Sequence, residues 1–322
     1  MRRALAAAAA TAGAALAAAA PAGAQSVALG AYIPGAPQSA KRIDDYARKT
    51  GRSPAILLYY RSWQEGDTFD ETTLERLRRR RALPMITWEP WDHRLADIAA
   101  GEYDDYLWDS AADARRWGRT ILVRFAHEAN GDWYPWSVDE NSPSDYVRAW
   151  RHVVRVFRRA GAGNVRWVWT PNTDYGGARM YRALYPGDRY VDWVGLSGFS
   201  WGGPWEWQSV SELFADSYRA IVSMTAKPFV IAETAAGEIG GDKRAWIDSA
   251  FRRELPELDR VRAVVWFNGK DKWAEWDVDS TPGSLSAFRD AVAAPRYSAG
   301  ARFVAGLSRS GWAVAGVLGR MR

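Results

Sequence analysis

From residue 27 to residue 293 the chain alternates between short runs of β-branched and aromatic residues and longer stretches in which apolar positions recur with helical spacing. The short runs predict strands over 28–33, 55–60, 85–88, 120–126, 165–170, 193–198, 229–232 and 262–267. The amphipathic stretches predict helices over 40–50, 70–81, 104–117, 144–160, 178–184, 210–226, 243–255 and 284–293. Ser144 with Asp145, and Ser284 after Pro282-Gly283, read as helix starts. Strand followed by helix, eight times over, predicts one (β/α)8 TIM barrel, a fold that typically needs about 250 residues. A doubly wound open sheet would fit the same alternation, but no glycine-rich phosphate loop follows the first strand.

The two ends of the chain read differently. Residues 1–24 have the form of a signal peptide: Arg2 and Arg3, an alanine-rich apolar run, then Ala22-Gly23-Ala24 as a small-residue cleavage site. They predict a secreted protein whose barrel domain spans 25–295. Residues 296–322 form a basic tail with Arg296, Arg302, Arg309, Arg320 and Arg322 and no acidic residue. The tail is expected to be a flexible extension. Its mixture of arginine with an apolar run over 303–318 would also suit weak association with a membrane or cell surface. That run is too short and too interrupted to span a bilayer.

Charge changes the picture once it is located. The net +5 is carried by the leader and the tail, and the barrel itself is slightly acidic. A nucleic-acid partner is therefore not expected. With no cysteine there is no thiolate chemistry and no disulfide framework, and only His93, His127 and His152 are available as imidazole ligands, so neither a metal nor a cofactor is expected. Tryptophan stands out at 19 copies. Barrel enzymes draw their active residues from the C-terminal ends of the strands. Most of the tryptophans fall at those ends, as a groove for the flat faces of sugar rings would require.

Glu128 and Glu233 follow the apolar runs of the fourth and seventh strands. Two carboxylates facing each other across a barrel mouth can cleave a glycosidic bond, one protonating the departing oxygen and the other attacking the anomeric carbon or activating water. Arg124 shares strand parity with Glu128, which puts a guanidinium in the lumen where it can keep a neighbouring carboxylate ionised. Glu233 is then expected as the ionised nucleophile, and Glu128, shielded by aromatic walls, as the acid/base with a raised pKa.

The run ILVRFAHEANGDWYPWS at 121–137 resembles the acid/base signature of glycoside hydrolase family 26, and PFVIAETA at 228–235 is similar to that family's nucleophile strand. Further resemblances occur in the same order: GAYIPGAP near residue 30, ITWEPWD at 86–92, VWTPN at 168–172, VDWVGLSGFSWG at 191–202, and the stretch 264–292. The family belongs to a clan of retaining (β/α)8 glycosidases and includes β-1,4-mannanases, mixed-linkage β-glucanases and β-1,3-xylanases. The resemblance implies Glu128 as acid/base and Glu233 as nucleophile, His127 as a contact where the bond breaks, and Trp266 as the platform beneath that sugar. Trp133, Asn172 and Trp88 fall on matching rim positions. The implied substrate is a β-linked polysaccharide or oligosaccharide, with β-1,4-mannan first and β-glucan or xylan next. One departure is Phe199, where family members often place a tyrosine that hydrogen-bonds the nucleophile.

Other motifs fail on spacing. His127-Glu128-Ala129-Asn130-Gly131 lacks the second histidine of a zinc-protease helix, and Gly195 to Phe199 does not have the spacing of a serine-hydrolase elbow. The basic run Arg78 to Arg81 reads as a solvated helix end. The competing function is a non-catalytic polysaccharide-binding barrel at the cell surface, which Phe199 and the basic tail would fit. Binding alone, however, needs neither glutamate.

Overall fold

The computed structural model describes residues 26–173, 176–270 and 272–307. Eight parallel strands close into a barrel in chain order: β1 (Ala28–Tyr32), β2 (Ile56–Ser62), β3 (Leu83–Glu89), β4 (Ile121–Phe125), β5 (Val165–Trp169), β6 (Trp193–Ser200), β7 (Phe229–Ala236) and β8 (Val261–Phe267). This is the (β/α)8 fold that the hydrophobic alternation predicts. The eight expected helices are present, and the first and third, Ala40–Thr50 and Asp104–Trp117, have the predicted bounds. Two of the others begin slightly earlier than expected, because Ser142 and Thr281 supply the caps, accepting from the backbone N–H of Asp145 and Ser284 at 3.1 Å. The stretch 243–255 is not one α-helix but Lys243–Ser249 followed by a π-helical turn, Ala250–Glu254.

Strand alternation sorts the barrel into two cores. Outward-facing residues pack against the helices, and inward-facing ones fill the lumen with Ile56, Leu58, Met85, Leu122, Val168, Trp193, Val230 and Val265. Gly195 lets β6 and β7 approach closely, since a Cβ there would fall 2.1 Å from the Val230 carbonyl oxygen. One step further along the strands the lumen changes character. Thr87, Arg124, Thr170 and Ser197 form a buried polar layer at its C-terminal end.

The boundary expected at residue 295 falls later. A 3-10 turn, Pro295–Ser298, and a helix, Ala301–Leu307, close the N-terminal end of the barrel. Val27 N–H donates to the Arg296 carbonyl at 2.8 Å, Ala299 bridges to Ala28, and the Tyr297 hydroxyl donates to the Phe251 carbonyl at 2.5 Å. Val304 is buried against the lumen residues. An open barrel end would leave that apolar filling in water, and these side chains cover it. The predicted leader and residues 308–322 lie outside the described residues. Among the described residues no helix is long and apolar enough to cross a membrane.

Candidate active site

The segment after β4 is built to deliver two side chains. Ala126 and Glu128 both adopt positive φ, 44° and 52°, a left-handed conformation that costs a non-glycine residue roughly 1–2 kcal/mol. The strand ends at Phe125, so Glu128 reaches the cleft through this paired reversal and not through the pleat that parity assumes. Its neighbours hold the reversal in place. Trp136, fully buried, donates from its indole to the His127 carbonyl at 2.7 Å, and Glu128 N–H donates to the Thr170 carbonyl at 2.9 Å. Asn130 clamps β5's exit by donating to the Asn172 carbonyl at 2.9 Å and accepting its N–H at 2.8 Å. Gly131 leaves room for the Trp133 ring, which a Cβ would meet at 2.5 Å, and the Trp133 indole donates to Glu128 Oε2 at 3.1 Å. Each fixed letter of the Asn-Gly-x-Trp-x-x-Trp motif thus has a mechanical task.

Glu233 arrives by a different route. Alternation along β7 places Val230 and Ala232 in the lumen, so Glu233 should face outward. The register between β6 and β7 slips at this point, from Leu196 opposite Ile231 to Ser197 opposite Glu233, and β8 shows a matching irregularity. This bulge turns two consecutive residues inward. Glu233 meets Arg124 there in an ion pair, both side chains buried. The guanidinium also donates to Thr170 Oγ1 at 2.8 Å, Thr87 Oγ1 at 3.0 Å and Ser197 Oγ at 2.9 Å, which fixes its plane.

The two carboxylates face each other. Glu128, Glu233 and His127 each present an atom to a common point, all within 4.8 Å of one another. Their surroundings are unlike. Burial, and then the charge of Glu233, pushes the Glu128 carboxyl up to about 7, against hydrogen bonds from Ser197 and Asn172. His127 is held well below its ordinary range by burial and by the Arg124 charge, so it is a neutral imidazole. Its Nε2 pairs with the Tyr134 hydroxyl at 3.0 Å, and its buried Nδ1 has no hydrogen-bond partner among the described residues. The trio has the composition of a metal site, but the Arg124 guanidinium already pairs with Glu233 and would oppose a cation there.

Comparison with known proteins gives the same direction. The family model for glycosyl hydrolase family 26 matches residues 109–251, which contain both glutamates. Endoglucanase H of Acetivibrio thermocellus is 36% identical over 275 residues, 83% of this chain and 30% of that protein. The chain belongs to glycosyl hydrolase family 26. It spans 65% of a Bacillus subtilis mannan endo-1,4-beta-mannosidase, at 27% identity over 250 residues covering 65% of this chain. The fold is shared with the family 26 endo-beta-1,4-mannanase catalytic domain from Bacillus sp. JAMB-750 (TM-score 0.67, 16% identity, 88% of this chain and 90% of that one). It is shared equally with an endo-beta-1,4-mannanase of Cellulomonas fimi (TM-score 0.65, 19% identity, 88% and 74%).

In this family 26 barrel the structure brings together Glu128, Glu233, His127, Arg124, Trp133 and Asn172, and it separates two residues expected beside them. Trp266 is fully buried on the outer side of β8, packed on Trp246, Phe251 and Phe288, with its indole donating to the Trp276 carbonyl at 2.9 Å. It cannot lie beneath a sugar. Trp88 is likewise fully buried outside β3, against Trp63, Phe69 and Phe157, and donates to Thr68 Oγ1 at 3.0 Å. Both are even-numbered residues on strands whose lumen-facing positions are odd, so parity applied to β3 and β8 finds the error. The crowding of tryptophan at the strand ends divides accordingly: Trp88, Trp136, Trp169 and Trp266 are core, while Trp133, Trp205 and Trp273 are exposed.

The lumen-facing neighbours of those two tryptophans are residues that the sequence pattern does not single out. Glu89 is buried, accepts from the Trp91 indole at 3.0 Å, and is pushed up to about 7 mainly by burial. It is a third carboxyl in the same cleft. Phe267 stacks on Tyr32 at 4.4 Å and meets Phe199 edge-on at 5.5 Å. Phe199 itself packs among Phe267, Trp276 and Trp201. The tyrosines near Glu233 come instead from β1, β2 and the loop after β4, since its charge adds to the burial that raises Tyr32, Tyr60 and Tyr134.

Proposed function

We propose that this chain is an exported, retaining endo-β-glycanase that acts on β-linked polysaccharide by double displacement. The observation that carries the reading is the unlike electrostatics of two carboxyls within 4.8 Å: Glu233 paired with a fixed guanidinium, Glu128 held protonated near neutrality. A separation of about 5–5.5 Å is the spacing of retaining enzymes, whereas inverting ones leave about 6.5–9.5 Å for a water molecule. In the first step the Glu233 carboxylate attacks the anomeric carbon while Glu128 gives its proton to the departing glycosidic oxygen. In the second, Glu128 takes a proton from water, the water oxygen bonds to the anomeric carbon, and Glu233 leaves as carboxylate. The free Nδ1 of His127 is offered to a sugar hydroxyl in the subsite where the bond breaks, and the exposed Trp133 supports a ring beside it.

For the substrate, β-glucan moves ahead of the β-mannan expected from the family's commonest activity. The relative that matches at 36% identity is named an endoglucanase, and the mannosidase at 27% matches less of the chain. Export is supported by the composition of residues 1–24. The test is reducing-sugar release from barley β-glucan, β-mannan and β-1,3-xylan by the wild type and by Glu233→Gln, alongside affinity electrophoresis in the same polymers. Release by the wild type alone, with binding retained in the variant, supports the reading. Binding without release by the wild type would favour the non-catalytic barrel.

A further inference from the structure

The large apolar side chains left exposed among the described residues are Trp108, Trp133, Trp205, Ile239 and Trp273. Trp205, Ile239 and Trp273 lie on the neighbouring loops that follow β6, β7 and β8. The Trp205 and Trp273 rings meet edge-on with centroids 5.3 Å apart, and the Ile239 carbonyl accepts from Gly203 N–H, on the loop that carries Trp205, at 3.1 Å. Single exposed apolar residues need no explanation, whereas a contiguous patch marks a binding surface. This patch is joined to the catalytic cleft. Trp205 lies 5.2 Å from Trp201, Trp201 4.7 Å from Trp276, and Trp276 5.6 Å from Phe267, which stacks on Tyr32 within reach of the Glu233 charge. A file of touching rings thus leads from the nucleophile to the surface.

The loops that carry these rings are tied down from behind. Gly202 takes φ 66°, and a Cβ there would fall 1.6 Å from the Ile239 carbonyl oxygen, so glycine lets the loops after β6 and β7 close on each other. On the loop after β8, the buried Lys243 donates from Nζ to the carbonyls of Glu275 at 3.1 Å and Asp277 at 2.8 Å, and to Ser280 Oγ at 2.8 Å. Asn268 accepts from Val278 N–H at 2.8 Å, and Lys270 pairs with Glu275 in an antiparallel bridge that has Trp273 between its ends. Rings held this way lose little freedom when a ligand arrives. On the reading of Glu128 and Glu233 as a polysaccharide-cleaving pair, we propose that Trp201, Trp205 and Trp273 form a distal subsite that binds further sugar units of the chain being cleaved. Continuity with the cleft decides the occupant: a polymer lying across the carboxylates and following the file of rings arrives at these indoles. An indole offers a flat apolar face to the C–H face of a sugar and an N–H to its hydroxyls. Binding energy collected away from the reacting bond raises kcat/KM, so the subsite makes turnover depend on chain length.

The experiment uses Trp205→Ala, Trp273→Ala and the double variant, each with its unfolding midpoint measured to establish that it folds. In a Glu233→Gln background, which spares the gel polymer, affinity electrophoresis in barley β-glucan and in β-mannan measures binding without hydrolysis. In the active background, kcat/KM is compared for a tetrasaccharide and an octasaccharide of the polymer that is cleaved. Binding to the polymer should weaken at least about tenfold in the double variant, and the ratio of octasaccharide to tetrasaccharide kcat/KM should fall at least about tenfold. Retardation that depends on the two indoles, in a chain that releases no sugar, would support the subsite while failing the glycanase reading. A folded double variant that is retarded like its parent, or one that loses activity equally on both lengths, would overturn the subsite and leave that reading standing.

Discussion

Arg124 and Glu233 form an ion pair sealed inside the barrel, with both side chains almost wholly out of contact with water. The guanidinium is engaged on every side, by Glu233, Thr87, Thr170 and Ser197. A pair so enclosed is not a source of net stability, because desolvation offsets most of the attraction, but breaking it leaves an uncompensated buried charge. Its value is positional: it fixes the attacking carboxylate at the bulge in β7 before any sugar arrives.

Arg124→Met removes one partner of this pair. The variant is expected to lose about 3–5 kcal/mol of stability, the range for orphaning a buried charge, and to lose turnover with it. Arg124→Lys keeps the charge but cannot reproduce the fork, so it should fold, bind substrate and show a much reduced kcat. Thermal denaturation and steady-state kinetics on the two variants separate charge from geometry.

The pH dependence arises from Glu128 and Glu89, both raised to about 7. Between the ordinary carboxyl range and about 7 the native state keeps protons that the unfolded chain has released. Stability is therefore fullest below the unfolded pKa and falls as pH rises toward 7, by up to about 1.4 kcal/mol per unit for each group. Activity should fall on its basic limb near 7, where the proton donor is lost. Glu128→Gln and Glu89→Gln should each flatten the stability slope in denaturant titrations across pH, and a slope unchanged in both would contradict the assignment.

Trp133→Phe keeps a ring beside the cleft but deletes the indole N–H that donates to Glu128 Oε2. A donor favours the ionised form, so its loss should move the basic limb of kcat/KM to higher pH. A pH–rate profile showing no shift, or a shift downward, would mean that the contact does not tune the acid.

Trp266 and Trp133 make opposite predictions. Trp266→Ala opens a cavity in the outer core and should cost about 3–5 kcal/mol, with KM unchanged in whatever fraction remains folded. Trp133→Ala should leave the unfolding midpoint nearly untouched and raise KM. A raised KM for a stable Trp266 variant would restore that residue to the site.

The barrel was legible in the sequence because each strand buries both faces and each helix one, which writes two distinct periods into the chain. Glu128, Glu233, His127 and Arg124 were legible as residues at strand ends, but not in how they arrive. Glu128 depends on two left-handed residues and Glu233 on a bulge, and neither leaves a mark in hydrophobic spacing. Trp88 and Trp266 misled because an indole at a strand end serves equally as core or as platform, and only lumen parity divides the two. The helix Ala301–Leu307 was hidden because it is one short apolar stretch within a basic tail, and Phe303 and Val304 have a partner only once the barrel end they cover is in place.

The most direct test of double displacement is mass spectrometry of peptides from enzyme treated with an activated 2-deoxy-2-fluoro-β-glycoside of the sugar whose polymer it cleaves. One adduct is expected, on the peptide containing Glu233, released as activity returns. An adduct on any other residue, or undiminished turnover with no adduct at all, would contradict the assignment of Glu233 as nucleophile.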